Sequence, residues 1–325
     1  MTTPNTSTTT TTTALELKDL EDYRIKSLPP SAYYISSFIT PQEASTLLTN
    51  ISKNPWTTLT HRRLQPHPAP LTPSGHLLTT KSLPEFLVSP IVDRILSLSF
   101  SSDNNNKSKN NNNNNNNNDD NENREEDDDD NDEEGKERKE KEKRGIFTTS
   151  PHTRPNHVLI NEYPPNTGIA AHEDGAAYFP VVCTVSLGSH ILLEVTPKPP
   201  PPSSSSSSQS QSPQERRERE EGGVGEEGNQ TKYRIFQEPN SLLITTDEMY
   251  TNHLHGILAV EADEGLDELT VANWGLLGDG TRRGIVESGG VVRREGVRIS
   301  LTYRDVLKVK DAGRLFGGRG VAGRR

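Results

Sequence analysis

The 325-residue chain reads as a mainly β protein: a two-sheet jelly roll (double-stranded β-helix) with helices flanking its N-terminal side, α+β overall, and two disordered insertions. Three observations point there. Helix-start signals cluster before residue 100. From residue 157 onward the chain breaks into short, β-branched-rich runs bounded by Gly, Pro or Asn, without the intervening helical patterns of a parallel βαβ sheet. Two stretches, 101–145 and 197–231, hold almost no apolar side chains.

Those stretches explain a misleading composition. Only 29% of the chain is hydrophobic, against roughly 45–50% in a globular domain. Setting them aside leaves 245 residues, enough for one sizeable core. Segment 101–145 carries an Asn run at 110–118 and four consecutive aspartates at 127–130. Segment 197–231 carries proline and serine runs. Neither can bury enough surface to offset chain entropy, so both are expected to be disordered. Loop-closure entropy grows only logarithmically with length, so one fold tolerates them. The expected organisation is a polar tail 1–30, one domain 31–309 interrupted by the insertions, and a basic tail 310–325.

Charge is equally local. Of the net −10, the first insertion holds −7 and the second −2. Residues 282–325 hold 12 Lys/Arg against 4 Asp/Glu. Such an end suits a phosphate-bearing partner, or is a solvated terminus. The mixed-charge run 136–144 is a weak nuclear-import signal, diluted by glutamates. No stretch approaches the roughly 18 apolar residues of a membrane span. Residues 1–13 lack the apolar centre of a signal peptide. The single cysteine, Cys183, excludes an internal disulfide and a Cys-rich zinc site and is expected to pack as an apolar side chain. The expectation is a soluble intracellular protein of the nucleus or cytoplasm with no membrane partner.

Taken in order, Tyr33-Tyr34-Ile35 and Phe38-Ile39 read as a short strand entering the first helix. Thr40-Pro41-Gln42-Glu43 is a capping box with Pro at N1, and Ala44, Leu47, Leu48 and Ile51 then share a helical face. Ser82-Leu83-Pro84-Glu85 reads as a second box opening a helix that Pro90 kinks or splits. Residues 157–163 alternate, with Leu159, Asn161 and Tyr163 on one face, and 164–168 is turn chemistry. Strands follow at 181–187, 191–195, 233–236, 241–245, 254–260 and 298–306.

Three groups can carry chemistry. On an extended segment His172 and Asp174 point the same way and can face one cation. With a second histidine they form a two-His, one-carboxylate triad that leaves three metal positions open, which suits non-haem Fe(II). Alone, His-x-Asp is more often a polar loop. His253 and His255 are both downstream at i, i+2, and alternation cannot choose between them. Gly256 beside His255 allows a close backbone approach to a metal. Finally, Arg298, Ser300, Thr302 and Arg304 share one strand face, and Ile299, Leu301 and Tyr303 the other. Lining a cup, the arginines need an anion, and a planar carboxylate matches a guanidinium fork. The plain alternative is an exposed basic edge strand.

Together the segments NEYPPNTGIAAHEDG, VVCTVSLGSHILLEV, SLLIT, LHGI and RISLTYR resemble the AlkB family of Fe(II)- and 2-oxoglutarate-dependent dioxygenases. The likeness is closest to its homologue-six subfamily, as it is for the upstream AYYISSFITPQEASTLL and PWTTLTHRRLQ, and runs from about 32 to 309. The resemblance implies that His172, Asp174 and His255 hold Fe(II) and that Arg298 pairs with the distal carboxylate of 2-oxoglutarate. It implies that Asn161 and Tyr163 hydrogen-bond the same co-substrate, and that Arg304 sits near its iron-proximal carboxylate or the substrate. Several members carry Asn two residues after the first arginine; here it is Ser300, a shorter donor. The implied reaction decarboxylates 2-oxoglutarate to succinate and hydroxylates a C–H bond, in repair members on an N-methyl group lost as formaldehyde. The implied partner is alkylated DNA or RNA, presented as an unstacked base, with Tyr178, Phe179 or Trp56 as stacking candidates. The triad is silent about substrate, so a protein side chain remains an alternative. So does a non-catalytic jelly-roll module whose insertions recruit partners.

Overall fold

The computed structural model describes residues 19–60, 62–101, 143–199 and 232–312. The expected disorder of the tails and most of both insertions, and most of the 136–144 charge run, lie outside these residues. Seven antiparallel strands form one sheet in the order Ala32–Ile35, Leu242–Thr246, Val181–Gly188, Arg298–Arg304, His157–Tyr163, Arg63–His67, Thr57–Thr58. Four more form the second sheet, Tyr233–Gln237, Ile191–Pro197, His253–Ile257 and Ile169–His172. Residues from both sheets line one cavity between them, which makes this the expected jelly roll.

Alternation sorts the central strand. Ile299, Leu301 and Tyr303 join the core shared with the N-terminal helices, among Leu47, Ile51, Ile91 and Val158. Cys183 is fully buried there, and burial pushes its thiol pKa up, as a packed thiol requires. A second core, including Tyr34, Leu193, Ile235 and Ile257, joins residues of the smaller sheet to the first strand of the larger one. The first helix, Pro41–Ser52, starts as expected: the Thr40 amide donates to Glu43 Oε2 at 2.8 Å, and the Glu43 amide to Thr40 Oγ1 at 3.2 Å.

Three expectations need correction. Phe38 and Ile39 are not strand, because both of their amides donate to the Asn240 carbonyl, which holds them in a turn. The second capping box does not form. Pro84 itself occupies the N-cap of Glu85–Val88 in a non-helical conformation, which puts Ser82 outside the helix. Pro90 splits the run into that helix and Ile91–Leu96, with Ser89 extended as a residue before proline should be. The ends of the insertions are not loop either. Ser99–Ser101 pairs with Lys143–Gly145, and Pro197 pairs with His253. Backbone ladders need no apolar side chains, so composition hid them. No helix among the described residues is long and apolar enough to cross a membrane.

His157 opens its strand opposite Arg304 and is buried. Its Nε2 lies 3.2 Å from the Ala69 carbonyl, and its Nδ1 has no partner. Burial, aided by the Arg304 charge, holds its pKa down to about 3. The unfolded chain takes up a proton near pH 6.5 and the folded chain does not, so stability rises with pH across that window. It is lost on acidification at up to about 1.4 kcal/mol per pH unit. Melting temperature should therefore fall from pH 7 to pH 5, and His157→Gln should flatten that slope. An equally steep slope in the variant would assign the acid sensitivity elsewhere.

Candidate active site

Strand register places the site. Ser300 lies between Asn161 and Ser186 on the neighbouring strands, and Arg298 lies between Tyr163 and Gly188. These two rows share the inward face. Of these residues Asn161, Tyr163, Arg298 and Ser300 line a cavity of about 140 Å³ whose opposite wall carries Leu193, Val195 and Ile257. Gly188 turns the chain out of its strand at φ +79°, and a Cβ there would lie 2.2 Å from the Val297 carbonyl oxygen. The exposed-edge reading of the arginine strand is therefore wrong: it is flanked on both sides, and Arg298, Ser300 and Arg304 are buried.

His172 and His255 face each other in register on adjacent strands, with ring centroids 4.5 Å apart. Asp174 follows two residues on. One ligand atom from each of the three lies within 4.8 Å of the others, the one such group among the described residues. His172 Nδ1 donates to the Ala170 carbonyl at 2.8 Å, which leaves Nε2 as the free lone pair. Burial holds the His255 pKa below the ordinary histidine value, which outweighs the opposing pull of Asp174, so the imidazole is in its neutral, ligating form. His253 also lines the cavity, but it pairs with Pro197 and its Nδ1 donates to the Glu248 carbonyl at 3.2 Å. Register, which single-strand alternation cannot supply, selects His255. Gly256 acts differently from the expectation. A Cβ there would sit 3.0 Å from the Ala171 amide nitrogen, so the glycine brings the two histidine strands together rather than bringing backbone to a metal.

The arginines have different partners. Arg304 Nη1 donates to Asp174 Oδ1 at 2.6 Å, with side chains only 4% and 13% exposed. Its guanidinium lies 4.2 Å over the Tyr178 ring, and its Nε has no partner. Arg298 Nη2 donates to Ser186 Oγ at 3.0 Å and Gln237 Oε1 at 3.1 Å. Its guanidinium lies 5.5 Å from the Tyr163 ring centroid, and its Nε is unpartnered. No carboxylate among the described residues pairs with it, and burial lowers its pKa to about 10. It is a charged group lacking a counter-ion at neutral pH. Burial pushes the Tyr163 hydroxyl pKa up, which keeps it a donor. Asn161 Oδ1 accepts from Arg62 Nε at 3.4 Å.

Arg62, Ser186 and Gln237 have no role in the sequence reading. Only Arg62 left a signal there, since two adjacent arginines on an extended segment must take opposite faces. Arg63 turns outward to Glu162 and lies over Trp56. Of the aromatic candidates, Trp56 and Phe179 pack on the helix-side core, and Tyr178 adjoins the site.

The family model described as 2OG-Fe(II) oxygenase superfamily matches residues 31–304. A Danio rerio protein described as "Probable RNA/DNA demethylase ALKBH6" is 29% identical over 302 residues, 92% of this chain and 95% of that protein. The solved structure of OsALKBH1 aligns with a TM-score of 0.40 at 15% identity, covering 86% of this chain and 99% of that one. A 2OG-Fe(II) oxygenase family oxidoreductase from Burkholderia pseudomallei aligns with a TM-score of 0.43 at 9% identity, covering 91% and 93%.

Proposed function

Because the chain belongs to the 2OG-Fe(II) oxygenase superfamily, we propose that its site oxidises an alkyl group on a nucleic-acid base. In this reading His172, Asp174 and His255 hold Fe(II), and Arg298, Asn161 and Tyr163 hold 2-oxoglutarate. One observation carries it: three ligating side chains converge in the same cavity as a buried guanidinium that has no anion of its own. The residues fit both groups. Two imidazoles and one carboxylate suit Fe(II) and leave positions open, and a carboxylate suits the fork of Arg298.

When bound, Fe(II) with 2-oxoglutarate supplies oxidation of a C–H bond by dioxygen, with succinate and carbon dioxide as co-products. The chain supplies position and dryness. Arg304 fixes the Asp174 carboxylate, and the Ala170 carbonyl fixes the His172 tautomer. Leu193, Val195, Leu243 and Met249 keep the cavity walls apolar. For the substrate, three features give support: the name of the Danio rerio relative, the Arg62 cation on the cavity wall, and Tyr178 beside Asp174. The compartment we propose is the nucleus or cytoplasm.

Incubation with Fe(II), ascorbate, 2-oxoglutarate and a panel of N-methylated single-stranded oligonucleotides should yield succinate and formaldehyde in equal amounts. Oligonucleotide binding should weaken steeply with salt as phosphate contacts are screened. Binding that ignores salt, with no succinate above the enzyme-free control, would remove the nucleic-acid substrate.

A further inference from the structure

Gln237 ends the edge strand of the smaller sheet and is 1% exposed, yet it reaches the arginine of the larger sheet. Its Oε1 accepts from Arg298 Nη2 at 3.1 Å and from Ser186 Oγ at 3.2 Å. Arginine only donates, so the assignment of the amide is fixed: oxygen toward Arg298, nitrogen away from it. Among the described residues, the side-chain hydrogen bonds of Gln237 all fall on Oε1; its Nε2 is not one of the fully buried orphan atoms, as Arg298 Nε is, but opens onto the cavity that the side chain lines. The spare donor therefore sits beside the guanidinium that itself lacks an anion. Ser300, on the arginine strand and equally buried, offers only a short hydroxyl.

We propose that Gln237 is a co-substrate-binding residue: its Nε2 donates to the distal carboxylate that Arg298 pairs with. Contact from the second sheet makes that carboxylate bridge the two walls of the cup. The inference rests on the proposed 2-oxoglutarate site and adds a residue that no motif marks. Ser186 is the internal control, since it also accepts from Arg298 but has no amide donor to offer.

The test is calorimetric binding to Mn(II)-loaded full-length protein, which reads affinity without turnover. The probes are 2-oxoglutarate and 2-oxovalerate, its analogue with a methyl in place of the distal carboxylate. Gln237→Met should weaken 2-oxoglutarate about tenfold, the worth of one hydrogen bond to a charged group, and leave 2-oxovalerate unchanged. Ser186→Ala should cost threefold or less for either probe. If Gln237→Met fails to fold, Gln237→Leu takes its place. Unchanged 2-oxoglutarate affinity overturns the proposal, as does an equal loss for both probes or an equal effect of Ser186→Ala. Wild-type protein that binds neither probe overturns the functional reading itself, whereas a wild type that binds and a variant that binds equally well overturns only Gln237.

Discussion

Replacing Asp174 with alanine should abolish metal uptake and destabilise the metal-free protein at the same time. The two effects have separate origins. Asp174 is one of three convergent ligating groups, and two imidazoles alone leave an Fe(II) site short of its charged ligand. It is also the partner of Arg304, and both side chains are largely buried. Removing the acid strands a guanidinium whose Nε already lacks a partner. Breaking such a pair costs about 3 kcal/mol, near 10 °C in melting temperature for a domain this size. Asp174→Asn separates the two roles, because its amide oxygen still accepts from Arg304 but carries no charge for the metal. His172→Ala separates them from the other side, since its Nδ1 bond is to a local carbonyl and no buried cation depends on it. Calorimetry with Fe(II) under anaerobic conditions should show uptake lost in all three variants. Scanning fluorimetry without metal should show a large drop only in Asp174→Ala. An Asp174→Ala protein that binds Fe(II) as wild type does would remove Asp174 from the metal.

What the sequence made legible was whatever is set within one element. The Arg298–Arg304 strand alternates charged or hydroxylated residues with apolar ones, so its inward face could be read directly, and the structure places that face on the cavity. The Thr40 box needs only residues three apart, and it formed. What stayed hidden depends on register between distant strands. His253 and His255 both point inward, and only the pairing of His255 with His172 distinguishes them. Gln237 is separated from Arg298 by 61 positions and meets it across two sheets, so no local pattern announces it. The failed box at Ser82 shows the converse error. The residue types were right, but Pro84 took the N-cap, and a box cannot span a residue that sits outside the helix.

Arg298→Met should abolish 2-oxoglutarate binding while leaving the co-substrate-free protein at least as stable. The native guanidinium is desolvated without a counter-charge, and burial lowers its pKa to about 10, so the free protein carries it at a cost. Three contacts offset part of that cost: the Ser186 and Gln237 oxygens and the Tyr163 ring. Methionine of similar length keeps the packing and discards the charge, an exchange that is often neutral or stabilising at a buried ionic site. Binding fares oppositely. Loss of the buried cation facing a carboxylate costs about 3 kcal/mol or more, at least a hundredfold in affinity. Arg298→Lys should lose nearly as much, because a point charge cannot match the planar fork. The pH dependence follows from the same group. Only the protonated guanidinium attracts the distal carboxylate, so 2-oxoglutarate affinity should be flat from pH 7 to 9 and fall as pH passes about 10. The affinity of 2-oxovalerate, which lacks that carboxylate, should not follow this fall. Calorimetry against Mn(II)-loaded protein across that range checks both, and 2-oxoglutarate affinity preserved in Arg298→Met would move the carboxylate off this arginine.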